Sequence, residues 1–217
     1  MDRYTDHALA LVETVLLARL GQHRPWEGQP LERDQQELGL DQVLVRFEAR
    51  YGRLRWIRGA GRSRELFLRR LSEVLRHRSR AALILARRVT EEAIDHGLDQ
   101  ILSGTSREAA RFLSLAREVR EHLRQLISET LLVSDGAALL AYLEPEHRVG
   151  DLLALELSRR HPGREILLAT PELCYQLSSG RLLTVTDPNL CRVLRHRVLS
   201  VGEAERYWAE ATVRSRA

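Results

Sequence analysis

Residues 64–132 read RELFLRRLSEVLRHRSRAALILARRVTEEAIDHGLDQILSGTSREAARFLSLAREVREHLRQLISETLL, and this stretch decides the fold. Leu68, Leu71, Leu75, Arg78, Ala82, Leu85 and Val89 fall at alternating spacings of three and four. That is a heptad-like seam with one arginine in it. The seam loses register around Ile94 and Gly97. Gly104 suits a helix C-cap, and Thr105-x-x-Glu108 reads as a capping box that opens a further helix. The second helix carries Phe112, Leu115, Val119, Leu123 and Leu126 on one face. The expectation is a helical run broken at Ser103-Gly104-Thr105, either an αα-hairpin turning at Gly104 or one long bent rod. Caps of both kinds coincide there and favour the hairpin.

Toward the N-terminus, Gly59-Ala60-Gly61 is the clearest break, and Ser63 can cap the helix that follows. Between Leu44 and Arg58, Val45, Phe47, Ala49 and Tyr51 alternate with polar residues, as do Leu54 and Trp56 after Gly52. The pattern allows a β-hairpin, and equally an extra helix ending at Gly52. The preceding stretch, through Pro25, Pro30 and Gly39, reads as polar loop. Asp6 to Leu20 has the spacing of an amphipathic helix, with Leu9, Val12, Val15, Leu16 and Leu20 on one face and Gly21 at its end.

Toward the C-terminus the texture changes after a turn at Ser134-Asp135-Gly136. A short helix is expected over Ala137–Leu143, stopping before Pro145, and a second over Asp151–Arg160. Glu165–Ala169 is a short buried strand. Thr170-Pro171-Glu172 reads as a helix start, because threonine can cap and proline fits the first turn; that helix ends at Gly180. Strands are expected at Leu182–Thr186 and Cys191–Leu199, with Asp187-Pro188 as a turn. A second capping box, Ser200-x-x-Glu203, opens a last helix through Trp208. The expected fold is therefore α+β and mostly α. It comprises 1–62, an N-terminal helix with an irregular or hairpin segment; 63–133, an arginine-rich helical stalk or hairpin; and 134–217, a small α/β domain.

Composition narrows the function classes. Hydrophobic residues make up 44% and charged residues 29% of the 217, which excludes a disordered chain, and aromatics at 5% leave the core to Leu, Val, Ile and Ala. All 34 basic residues are arginine. The absence of lysine everywhere points to codon usage in a GC-rich genome before it points to anion recognition. The distribution is more telling. From Arg53 to Arg88 there are twelve arginines against Glu65 and Glu73, a local +10 in a chain whose net charge is +4. That cluster is either a solvated helix face with arginine stems over apolar surface, or a surface for an anionic partner. No apolar stretch reaches the ~20 residues of a membrane span, and the N-terminal residues carry acids where a signal peptide is basic. A cytoplasmic protein is expected.

Little in the chain carries chemistry. The eight histidines are scattered, with no helical i, i+4 zinc pair around a glutamate. There is no phosphate-binding loop, and Gly59-x-Gly61 lacks a third glycine and a preceding strand. Leu131–Asp135 followed by Ala137–Leu140 resembles the strand–Asp–helix opening of PIN-type nucleases. Such a site needs several more carboxylates, so a plain turn and cap is the reading taken. Cys174 and Cys191 form neither a disulfide framework nor a metal pattern and read as buried, inert thiols. No catalytic residue, cofactor or metal is expected.

The order of signals in the last quarter carries a resemblance: a strand, Thr170-Pro171-Glu172-Leu173 opening a short helix, a strand running into Asp187-Pro188-x-Leu190-Cys191, a further strand and a closing helix. It is similar to the C-terminal domain of the peripheral-stalk (stator) proteins of type III secretion and flagellar export ATPases, in which a helical, often coiled-coil half precedes an α/β head. The resemblance implies a homodimer that binds the export ATPase and links it to a cytoplasmic sorting platform. The expected function is a non-enzymatic scaffold acting through protein contacts, with Arg69, Arg70, Arg76, Arg80, Arg87, Leu173 and Leu190 as candidate contacts. The alternative is an arginine-rich nucleic-acid-binding or regulatory protein. Few aromatics for base stacking and no recognisable nucleic-acid fold count against it.

Overall fold

Helix α1 (Asp6–Arg19) buries Ala8, Leu11, Val12, Val15 and Leu16 along one stripe and Leu17 on the opposite side. A helix buried on two opposite sides belongs inside a bundle. Helices α2, α4 and α5 pack around it. The computed structural model describes residues 6–21, 39–59, 61–171, 173–185, 189, 191–193 and 195–200. The loop expected through Pro25 and Pro30, the turn at Asp187-Pro188 and the last helix through Trp208 lie outside the described residues. The fold is α+β and mostly helical, with one five-stranded sheet. The chain divides into two compact units, Met1–Arg120 and Glu121–Ala217.

In the first unit the ambiguous 44–58 segment is helical. Helix α2 (Leu40–Tyr51) buries Val43, Leu44 and Phe47, leaves Val45 58% exposed and stops at Gly52. A short α3 (Arg55–Arg58) follows, and Trp56 Nε1 donates to the Ala93 carbonyl at 2.9 Å. The run 64–132 is neither a rod nor a hairpin turning at Gly104. It breaks three times, into α4 (Arg62–Leu75), α5 (Arg80–His96), α6 (Asp99–Ser103) and α7 (Arg107–Glu129). The hairpin lies between α4 and α5, and the seam arginine, Arg78, sits exposed in its turn. Ser79 makes the break, its hydroxyl accepting from the Ala81 amide at 3.2 Å as the cap of α5. The remaining seam residues face inward: Leu68, Leu71, Ala82, Leu85 and Val89 are buried and Leu75 is partly buried.

Gly104 does end a helix, in the left-handed region at φ 69°. The cap of α7 is one residue later than expected, because Ser106 accepts from Ala109 while Thr105 turns back to the Gln100 carbonyl. Phe67, Phe112, Leu11, Leu16 and Leu71 are among the fully buried side chains of the single core these helices share. The apolar faces expected of a stalk are covered by α1 and α2, which explains why the first sixty residues belong with the helical run.

The second unit departs more from expectation. The segment expected as a helix, 137–143, is strand β2 (Ala138–Tyr142), paired antiparallel with β1 (Val133–Asp135) through Gly136-Ala137. Alanine and leucine favour helix, but pairing on both edges overrides that weak preference. Helix α8 (Gly150–Arg160) then crosses over to β3 (Glu165–Ala169), which runs parallel to β2. Thr170-Pro171 starts no helix. It turns β3 into an antiparallel β4 (Cys174–Ser178), with the Thr170 hydroxyl donating to the Leu173 carbonyl at 2.7 Å and accepting from its amide at 3.0 Å. Threonine and proline serve a tight turn as well as a helix N-terminus. Ser179 and Gly180, both with positive φ, turn β4 into β5 (Arg181–Val185). Residues 191–193 and 195–199, expected as a strand, are helical.

The sheet runs β1-β2-β3-β4-β5 in chain order. One face, with Leu139, Ile166, Leu168, Tyr175 and Leu177, packs on Leu153, Ala154 and Leu157 of α8, and on Leu123, Leu126 and Ile127 from the end of α7. The other face, with Leu140, Ala169 and Cys174, packs on Cys191 and Val198 of the C-terminal helical segment. Gly150 lets α8 approach closely, since a Cβ there would stand 2.4 Å from the Tyr175 ring.

Candidate functional site: an arginine-bearing helical face

The arginine cluster sorts into two populations. Helix α4 turns Phe67, Leu68, Leu71 and Val74 inward, and the same rotation brings Glu73 and Arg76 into the interior, at 2% and 5% exposure. Arg70 lies one turn from Glu73 and holds its carboxylate at 2.9 Å. Arg76 donates to the carbonyl of Ser72 at 3.1 Å and to its hydroxyl. Arg70 and Arg76 were candidate contacts; Arg76 is buried, and Arg70 is held against the buried Glu73.

The second population faces outward. Among the described residues, Arg53, Arg55, Arg62, Arg69, Arg78 and Arg80 are exposed and have neither an ion pair nor a side-chain hydrogen bond. Arg62 and Arg69 lie seven apart, on the outer face of α4. On α5, Ile84, Arg87 and Arg88 follow Arg80 at four, seven and eight, opposite the buried Ala82, Leu85, Ala86 and Val89. Ile84 is 53% exposed in the midst of these arginines. Arg87 is paired with Glu91 at 3.0 Å and Arg88 with Glu108 at 3.2 Å, both in solvent where such pairs hold weakly.

Local electrostatics set the two ends of α5 apart. Its first turn has no acid to complement the positive end of the helix dipole, and Arg80 stands there. Near the other end, Asp95 is gripped by both Arg19 nitrogens at 2.5 and 2.6 Å. That bond holds the Asp95 carboxyl below its ordinary range and pushes the Arg19 guanidinium further up. The acidic end of α5 is thus neutralised from α1, while the basic end is open to an external anion.

Of the remaining candidates, Leu173 is half-buried in the β3–β4 turn against the sheet core, and Leu190 lies outside the described residues. Sequence reasoning passed over Ile84, although an isoleucine midway between Arg80 and Arg88 is a legible signal. It also passed over two pairs that the fold brings together. His122 and His147 meet edge to face at 5.2 Å, with the His122 Nε2 accepting from the Glu146 amide. Cys174 and Cys191 share one end of the sheet core. Among the described residues no three His, Cys, Asp or Glu side chains converge as metal ligands, and no helix is long and apolar enough to cross a membrane.

The chain matches no protein-family model, no curated protein and no solved structure.

Proposed function

We propose that the protein is a non-enzymatic scaffold that docks an acidic protein surface on the outer face of α4, the Arg76–Ser79 turn and the start of α5. The observation that carries this reading is the set of exposed arginines without partners on these elements, Arg62, Arg69, Arg78 and Arg80, with Ile84 exposed one turn after Arg80. Uncompensated guanidinium groups, with the apolar Ile84 one turn from Arg80 on α5, fit a surface of carboxylates with an apolar residue among them. A peripheral-stalk role at a type III export ATPase, as a cytoplasmic homodimer, is the specific form of this reading. It rests on the resemblance in the last quarter of the chain.

The test is co-purification of the full chain with a candidate ATPase, together with its mass in solution by light scattering. The triple variant Arg62→Glu/Arg69→Glu/Arg80→Glu is expected to lose the partner while keeping its helical signal. Capture should weaken as salt rises, since exposed charges are screened beyond a Debye length of ~8 Å at physiological ionic strength. A monomer that retains no partner sinks the stalk role. Tight, steeply salt-dependent binding to duplex or single-stranded nucleic acid, abolished by the same triple variant, would replace the acidic protein by phosphates.

A further inference from the structure

Cys174 and Cys191 are seventeen residues apart and come from different elements, yet the fold buries them together in one cluster. Cys174 opens β4, directly opposite Val185 of β5, and is 1% exposed. Cys191, in the C-terminal helical segment and 8% exposed, donates its thiol to that same Val185 carbonyl at 3.1 Å. The Cys174 thiol in turn donates to the Cys191 carbonyl oxygen at 3.5 Å. No other cysteine exists in the chain, so no competing partner is present within the molecule.

We propose that Cys174 and Cys191 form a reversible oxidation site, which a hydroperoxide converts to a disulfide stapling the C-terminal helical segment to strand β4. This goes beyond the docking surface and involves none of its residues. The less buried sulfur reacts first. Cys191, as its thiolate, attacks one peroxide oxygen; the O–O bond breaks, hydroxide leaves, and a sulfenic acid remains on Cys191. The Cys174 sulfur then attacks the Cys191 sulfur. The S–O bond breaks, and the departing hydroxyl takes the Cys174 proton as water. Each sulfur has lost one electron and the peroxide has gained two. Burial, and next the adjoining Cys191, push the Cys174 thiol up to about 12, so it keeps its proton while Cys191 meets the oxidant and gives it up only to the departing hydroxyl.

The experiment uses the full chain, treated with hydrogen peroxide while folded, then unfolded and alkylated. The expected product is monomeric, lighter by two hydrogens, takes up no alkylating reagent, and gives one peptide pair linking Cys174 to Cys191. Dithiothreitol restores both thiols. The oxidised form should also melt at a higher temperature than the reduced form, because the link restricts the unfolded chain. A chain unfolded in guanidinium before treatment should cross-link more slowly, since the fold supplies the proximity. In a Cys174→Ala variant, Cys191 should persist as a sulfenic acid trapped by dimedone. The proposal is overturned by two alkylated thiols after treatment. Sulfinic acid with no linked peptide, or a link formed only between molecules, would overturn it as well. These wild-type readouts decide the matter even where the variant does not fold.

Discussion

The helical unit and the sheet unit obey different rules of legibility and of stability. In the first, nearly every contact that matters is announced by spacing within one helix. Leu68 and Leu71, or Ala82, Leu85 and Val89, are buried because a 3.6-residue turn aligns them. In the second, a residue's role depends on a partner strand elsewhere in the chain. Ala138–Tyr142 is a strand because Val133–Asp135 and Glu165–Ala169 flank it on either edge. Local rules suffice for one unit and not for the other.

The largest expected effect tests whether the two units are energetically separate. Phe112 is fully buried, with its ring 6.0 Å from that of Phe67. Phe112→Ala should cost the helical unit about 4 kcal/mol, read by denaturant melts. Amide exchange should speed up in α4 and α5 while β2 and β3 keep their protection. Equal loss in both units would make the division at residue 120 a geometric one only.

Next in size is the contrast within the arginine cluster. Arg70→Ala strands the carboxylate of Glu73 in the interior and should destabilise by about 3 kcal/mol. Arg87→Ala breaks a solvent-exposed pair and should cost no more than about 0.5 kcal/mol. Matching melts for the two would remove the distinction between inward and outward arginines. For the sheet unit, Gly150→Ala drives a methyl into the Tyr175 ring and should cost about 2 kcal/mol by overpacking. A smaller variant residue cannot be tried there, so a neutral result would mean that α8 shifts outward.

The smallest effect is electrostatic. Arg19 depresses the Asp95 carboxyl, so the folded state holds its proton less tightly than the unfolded chain does. Stability from this pair is therefore present above the ordinary carboxylate range, near pH 4, and is lost as pH falls through the lowered folded value. Both side chains are more than a third exposed, which limits the contribution to roughly 0.5 kcal/mol. Asp95→Asn should flatten the acid limb of a stability–pH curve by that much and leave the neutral plateau lower by the same amount.

How much was legible follows from the same contrast. The α+β class, the helix ending at Gly104 and the strand at 165–169 were plain in the chain. The break at Ser79 was hidden by a seam that continued in phase across it, although the arginine at position 78 marked the place. In the sheet unit, Thr170-Pro171 and Ser179-Gly180 were read as helix ends because the same residues serve tight turns, and only the partner strand decides between the two. For the docking face, Arg69 and Arg80 could be picked from charge density, whereas Arg70 and Arg76 could not be told apart from them. The rotation of α4 is set by what packs beneath it.

Arg164, just before β3, donates from Nε to the Ala137 carbonyl at 2.9 Å and from Nη2 to Ser134 Oγ and to the carbonyls of Gly136 and Ala138. A single guanidinium thus fastens the β1–β2 turn from a point across the whole α8 crossover. In kinetic terms the turn is local and can close early, on the microsecond scale of hairpins, whereas its clasp must await the ordering of the crossover. Arg164 is therefore expected to act as a late latch: Arg164→Ala should speed unfolding far more than it slows folding, read from the two arms of a denaturant chevron.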